Sequence, residues 1–70
     1  MIEPAFLVSV EDAVSATLHS ADRAPDRAKY IATRIAEGAA QAAGCARRGK
    51  GEEAAGWATW AARLREEMAK

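Results

Sequence analysis

The chain has 70 residues, ten basic and ten acidic side chains for a formal net charge of zero, and one cysteine. That length allows one domain, the single cysteine excludes a disulfide framework, and the balanced charge lacks the basic excess usual in nucleic-acid-binding domains. Nominally 50% of the residues are apolar, but 19 of those 35 are alanine, so few side chains are large enough to build a core.

Eight of the larger apolar residues fall in the first 18 positions: Met1, Ile2, Phe6, Leu7, Val8, Val10, Val14 and Leu18. A firm helix is predicted over 9–20. Ser9 is placed to cap its first turn, with Asp12 completing an approximate capping box. Val10, Ala13, Val14, Thr17, Leu18 and Ala21 recur at helical spacing and form its apolar face. Residues 1–8 read either as an extended apolar arm or as an extension of this helix from Pro4, which is tolerated in a first turn.

Asp22-Arg23-Ala24-Pro25 breaks the pattern, and a second helix is predicted over 25–48, opened by Pro25 with Asp26 favourable to its dipole. Ala28, Ala32, Ile35, Ala39, Ala42 and Ala46 alternate by four and three, the spacing of a coiled-coil seam. Gly38 and Gly44 are expected to let a neighbouring backbone approach closely. Gly49-Lys50-Gly51 ends the helix, with Arg47 and Arg48 suited to its carboxyl end.

A third helix is predicted over 52–69. Glu52 and Glu53 sit at its amino end, and its seam runs through Ala54, Trp57, Ala61, Leu64 and Met68, with Trp60 adjoining. Arg63 with Glu67 and Glu66 with Lys70 are spaced for surface pairing. The pattern therefore predicts an all-α fold, a small three-helix bundle in which an antiparallel helical hairpin packs against an N-terminal helix. The core is thin enough that a homodimer is expected.

Charge is unevenly distributed along the chain: residues 1–22 sum to −4, residues 23–50 to +5 and residues 51–70 to −1. Within the basic segment Arg27, Arg34, Gln41 and Arg48 recur every seven residues, which is expected to set them on the face opposite the alanines, with Tyr30 beside them. Such a stripe is either a solvated face or a docking surface, since guanidinium groups pair well with carboxylates and phosphates. Trp57 and Trp60 lie three apart on one side of their helix. They read as core, or as interface anchors if one ring stays exposed.

Little points to catalysis. His19 is the sole histidine and has no acid at helical spacing to partner it. Cys45 lies near Arg47 and Arg48, which favour a thiolate, yet it reads more simply as a small buried residue. One histidine and one cysteine are too few for a metal site, and no cofactor motif is present. The lone cysteine, the absence of a basic-then-apolar leader and the lack of any ~20-residue apolar stretch predict a cytoplasmic protein.

The function expected from these features is non-catalytic protein binding: a regulator or inhibitor that covers a partner's acidic or nucleic-acid-binding surface with Arg27, Tyr30, Arg34, Gln41 and Arg48. In size and class such a protein is like the inhibitors that phages and mobile elements direct against host machinery, CRISPR inhibitors included. The alternative is a nucleic-acid-binding protein using the basic face of the second helix, for which a steep salt dependence is expected.

Overall fold

Three helices account for nearly the whole chain in a computed structural model, which describes the backbone of residues 3–70 and the side chains from residue 10 onward. They are α1 (Glu3–Asp22), α2 (Arg27–Arg47) and α3 (Gly51–Ala69), and together they form a small three-helix bundle. Among the described residues no helix is long and apolar enough to cross a membrane.

α1 begins at Glu3, so Pro4 occupies its first turn and Ser9 lies inside the helix rather than capping it. The extended-arm alternative does not hold for the backbone of residues 3–8; Met1, Ile2 and the side chains up to residue 9 lie outside the described residues. The buried face of α1 runs through Val10, Val14, Thr17 and Ala21, with Leu18 half-buried and Ala13 exposed. Thr17 is buried with its polar demand met, because Oγ1 donates to the Ala13 carbonyl oxygen at 2.7 Å.

α2 starts later than its sequence suggests. Asp26 is the N-cap, its carboxylate accepting from the Lys29 backbone N–H at 3.0 Å, so Pro25 precedes the cap instead of opening the helix. At the other end Gly49 takes φ +78°, the left-handed region that suits a residue without Cβ. The Lys50 N–H then reaches the Cys45 carbonyl oxygen at 2.8 Å, and the Gly49 N–H reaches that of Ala46 at 3.1 Å. This pair of bonds closes the helix as a Schellman motif and folds the chain directly into α3.

α2 and α3 pack antiparallel, with Gly38 opposite Trp60 and Cys45 near Glu53. Their seam is not the alanine row. The buried residues of α2 are Ile31, Gly38 and Cys45, seven apart, with Ile35 and Ala42 half-buried between them. Ala28, Ala32, Ala39 and Ala46 are exposed on the flank. The indole of Trp60 explains the rotation. A Cβ at Gly38 would lie 2.7 Å from Trp60 Cε3 and 2.9 Å from Cζ3, so the largest side chain of α3 fits only against a glycine of α2.

The seam of α3 shifts correspondingly to Gly56, Trp60, Ala61 and Leu64, leaving Trp57 and Met68 exposed. Gly44 is not a close-approach site, because a Cβ there would meet only the mobile ends of Arg48 and Arg47, at 3.4 Å and 4.0 Å. Ile31 and Leu64 are completely buried and join Val10, Val14, Ala21 and Trp60 in the core. Tyr30, Leu18 and Ile35 pack on its edge.

Arg63 ties α3 to α1, donating from Nε to Glu11 at 3.1 Å and from Nη2 at 3.4 Å. It also reaches Glu66 at 2.9 Å and Glu67 at 3.8 Å. Lys70 pairs with Glu67 at 3.2 Å rather than with Glu66, to which the four-residue spacing had assigned it. The hydrogen bond and charge of Glu11 hold the Arg63 guanidinium above its usual range. Arg63 therefore keeps its charge until strong alkali and itself brings no pH dependence near neutrality.

Candidate functional site

The α2 stripe and the tryptophan pair meet at one residue. Arg34 is half-buried, and its guanidinium carbon sits 5.4 Å from the centroid of the Trp60 ring, a cation–π distance. Trp57 stands against Trp60 edge to face, with centroids 5.5 Å apart and planes at 80°. Trp60 is core and Trp57 is the exposed member, so the two candidate anchors divide the roles between them.

Arg27, Gln41 and Arg48 of the stripe are exposed to solvent, and only Arg34 is half-buried beside the α2–α3 seam. Arg27 Nε donates to Asp22 at 3.0 Å, and Arg34 Nη1 pairs with Glu37. Arg48 lies in the C-cap with Nη2 3.7 Å from the Cys45 sulfur, whereas Gln41 is exposed. Tyr30 packs on the edge of the core. Seven-residue spacing thus places the four side chains in a row, while their local partners make each chemically different.

Between α1 and α3 lies a groove of about 580 Å³, lined by Val10, Ala13, Ala16 and Thr17 on one side and by Glu53, Gly56, Trp57 and Trp60 on the other. Arg34 reaches it from α2. Small residues make the space: alanines stand where α1 faces the tryptophans, and Gly56 has no side chain to fill it. Sequence reasoning missed this groove, because Ala13 and Ala16 looked like ordinary helix formers and Gly56 carried no motif. The available signal was Ala13 and Ala16 on α1, and Gly56 beside the two tryptophans of α3.

The remaining reactive residues lie apart. His19 is exposed in the last turn of α1, and Cys45 is a buried free thiol in the last turn of α2. Glu53 Oε1 is 3.9 Å from the Cys45 sulfur, so Cys45 sits between an acid and Arg48 in the α2–α3 seam. Among the described residues no group of three or more His, Cys, Asp or Glu is gathered closely enough to hold a metal ion.

Comparison of the chain with protein-family models, with curated proteins and with solved structures finds no match. What the site can do therefore has to be read from its own geometry: an apolar cleft of ligand-binding size, an exposed indole at its edge and one guanidinium at its side.

Proposed function

We propose that this chain is a non-catalytic protein-binding module that regulates or inhibits a partner by covering part of its surface. The observation that carries the reading is Arg34, which belongs both to the α2 stripe and to the groove holding Trp57 and Trp60. An arginine beside two tryptophans is the composition of interface hot spots, where a desolvated aromatic anchor is ringed by polar contacts. Arg27, Tyr30, Gln41 and Arg48 extend the same face along α2.

The proposal places the protein in the cytoplasm, where the free thiol of Cys45 suits reducing conditions, and includes self-association as a homodimer. Its size and class keep the likeness to inhibitors of phages and mobile elements, with no particular target implied. The non-catalytic reading rests on His19 and Cys45 lying in the last turns of two different helices, the first exposed in α1 and the second buried in α2. Protein is favoured over nucleic acid because the stripe meets an apolar groove with an exposed indole, a surface that suits a side chain better than a phosphate backbone.

The test is recovery of partners from the source lysate by the tagged full chain, with and without nuclease at moderate salt. A stoichiometric protein that survives nuclease, and is lost with Trp57→Ala while helicity and melting are unchanged, is the expected result. Recovery that collapses with nuclease would instead make the basic face of α2 a nucleic-acid surface.

A further inference from the structure

Two buried hydrogen-bond donors find no acceptor among the described residues: Nε of Arg34 and Nε1 of Trp60. Leaving such a group unpaired is costly, and folded proteins leave few. Both belong to residues lining the groove between α1 and α3.

Covalent geometry shows where the indole donor points. Trp60 is only 5% exposed, and its Cε3–Cζ3 edge is turned toward Gly38. The N–H occupies the diagonally opposite corner of an indole, so it is directed away from α2. The guanidinium of Arg34 is likewise half used: Glu37 takes Nη1, which leaves the Nε side, one of the two edges that receive a carboxylate. The other acid at the groove, Glu53, lies near the Cys45 sulfur instead. Among the described residues the groove therefore offers two unpaired donors and apolar walls, and Glu53, the acid that lines it, reaches neither donor.

We infer that the groove receives a segment of a partner polypeptide carrying an apolar side chain beside a carboxylate. The inference rests on the protein-binding reading above and specifies the chemistry of its partner. The apolar side chain lies between Trp57 and the alanines Ala13 and Ala16. The carboxylate accepts from the Nε side of Arg34 and from the Trp60 N–H. Both nitrogens are buried in the unbound protein, so the side chains around them must shift as the segment binds. The unpaired donors select this occupant, since a purely apolar segment would bury both of them without an acceptor.

A displayed library of random dodecapeptides, panned on the immobilised full chain and counter-selected against Arg34→Gln, tests it. The expected survivors pair an Asp or Glu with a large apolar residue one or two positions away. The best of them should move the Trp60 indole N–H signal of the isotope-labelled protein, assigned with Trp57→Phe. Replacing its acid by the amide should weaken binding at least tenfold, a comparison made entirely on the unaltered protein. Survivors without an acid, equal binding of acid and amide, an indole signal that does not move, or a panning that enriches nothing would each overturn the inference. So would tighter binding of free octanoate than of the peptide, which would make the groove a small-molecule site. A protein partner recovered from lysate with any of these results leaves the protein-binding reading standing and removes only its acidic-apolar chemistry.

Discussion

Gly38 and Gly44 occupy the same helix six residues apart, and the same substitution should move stability in opposite directions. Alanine is worth about 0.5–1 kcal/mol over glycine in a helix interior. At Gly44 nothing stands closer to the new Cβ than 3.4 Å, so Gly44→Ala should raise the urea midpoint by that amount. At Gly38 the methyl would come within 2.7 Å of the Trp60 ring, and overpacking costs typically about 1–3 kcal/mol. Gly38→Ala should therefore be destabilising by about 1 kcal/mol net, and a raised midpoint would show that the indole does not rest on this glycine. The contrast also explains what the sequence left hidden at this scale. A glycine counts as no side chain in any apolar pattern, so the regular alanine row was taken for the seam and the Ile31–Gly38–Cys45 row was not. Trp60 was read as an adjoining residue and Trp57 as seam, the reverse of their burial, because three-residue spacing does not tell which of two indoles faces inward.

Helix ends were more legible than helix faces, since capping depends on local chemistry that the sequence carries openly. Gly49-Lys50-Gly51 marked the hairpin turn, and the left-handed φ of Gly49 is the physical reason. Gly49→Ala should cost about 1 kcal/mol, as a Cβ is strained in that conformation, without changing the burial of Cys45. Asp26→Ala removes the side-chain bond to the Lys29 amide and should also cost about 1 kcal/mol, read as a drop of several degrees in melting temperature. Asp26→Asn, which keeps an acceptor oxygen, should recover most of it; no recovery would mean the charge, not the cap, matters. The start of α1 was the least legible boundary, because Pro4 suits a first helical turn and a non-helical arm equally. The bond from Arg63 to Glu11 could not be foreseen either, since it joins residues 52 apart in sequence. It is exposed on the Glu11 side, and pairs of this kind are screened by salt.

For the molecule as a whole, the core is small and the surface large. The accessible surface of 4717 Å² exceeds the about 4,200 Å² expected for a compact monomer of this mass, in keeping with extents of 36 × 24 × 17 Å. Leu64 is fully buried, so Leu64→Ala should cost about 2–5 kcal/mol. Against a total of about 4–10 kcal/mol for a domain of this length, that should leave a broad, low-temperature melt in circular dichroism. If the proposed homodimer uses the exposed flank of α2, Ala39→Glu should shift the sedimentation-equilibrium mass to that of a monomer while sparing helicity. The class of fold and the number of helices were readable from periodicity and punctuation alone, whereas the groove was not, because it is made where side chains are missing. The short closure between α2 and α3 has one more consequence, in the order of events at the ribosome. α1, with the chain's densest apolar stretch, is translated before the hairpin on which it docks, and the second arm of that hairpin follows the first. At 5–20 residues per second the remaining 48 residues take about 2–10 s, far longer than helical hairpins need to form. The nascent N-terminal helix thus waits for its own platform, and a chaperone that holds apolar helices has those seconds in which to meet it.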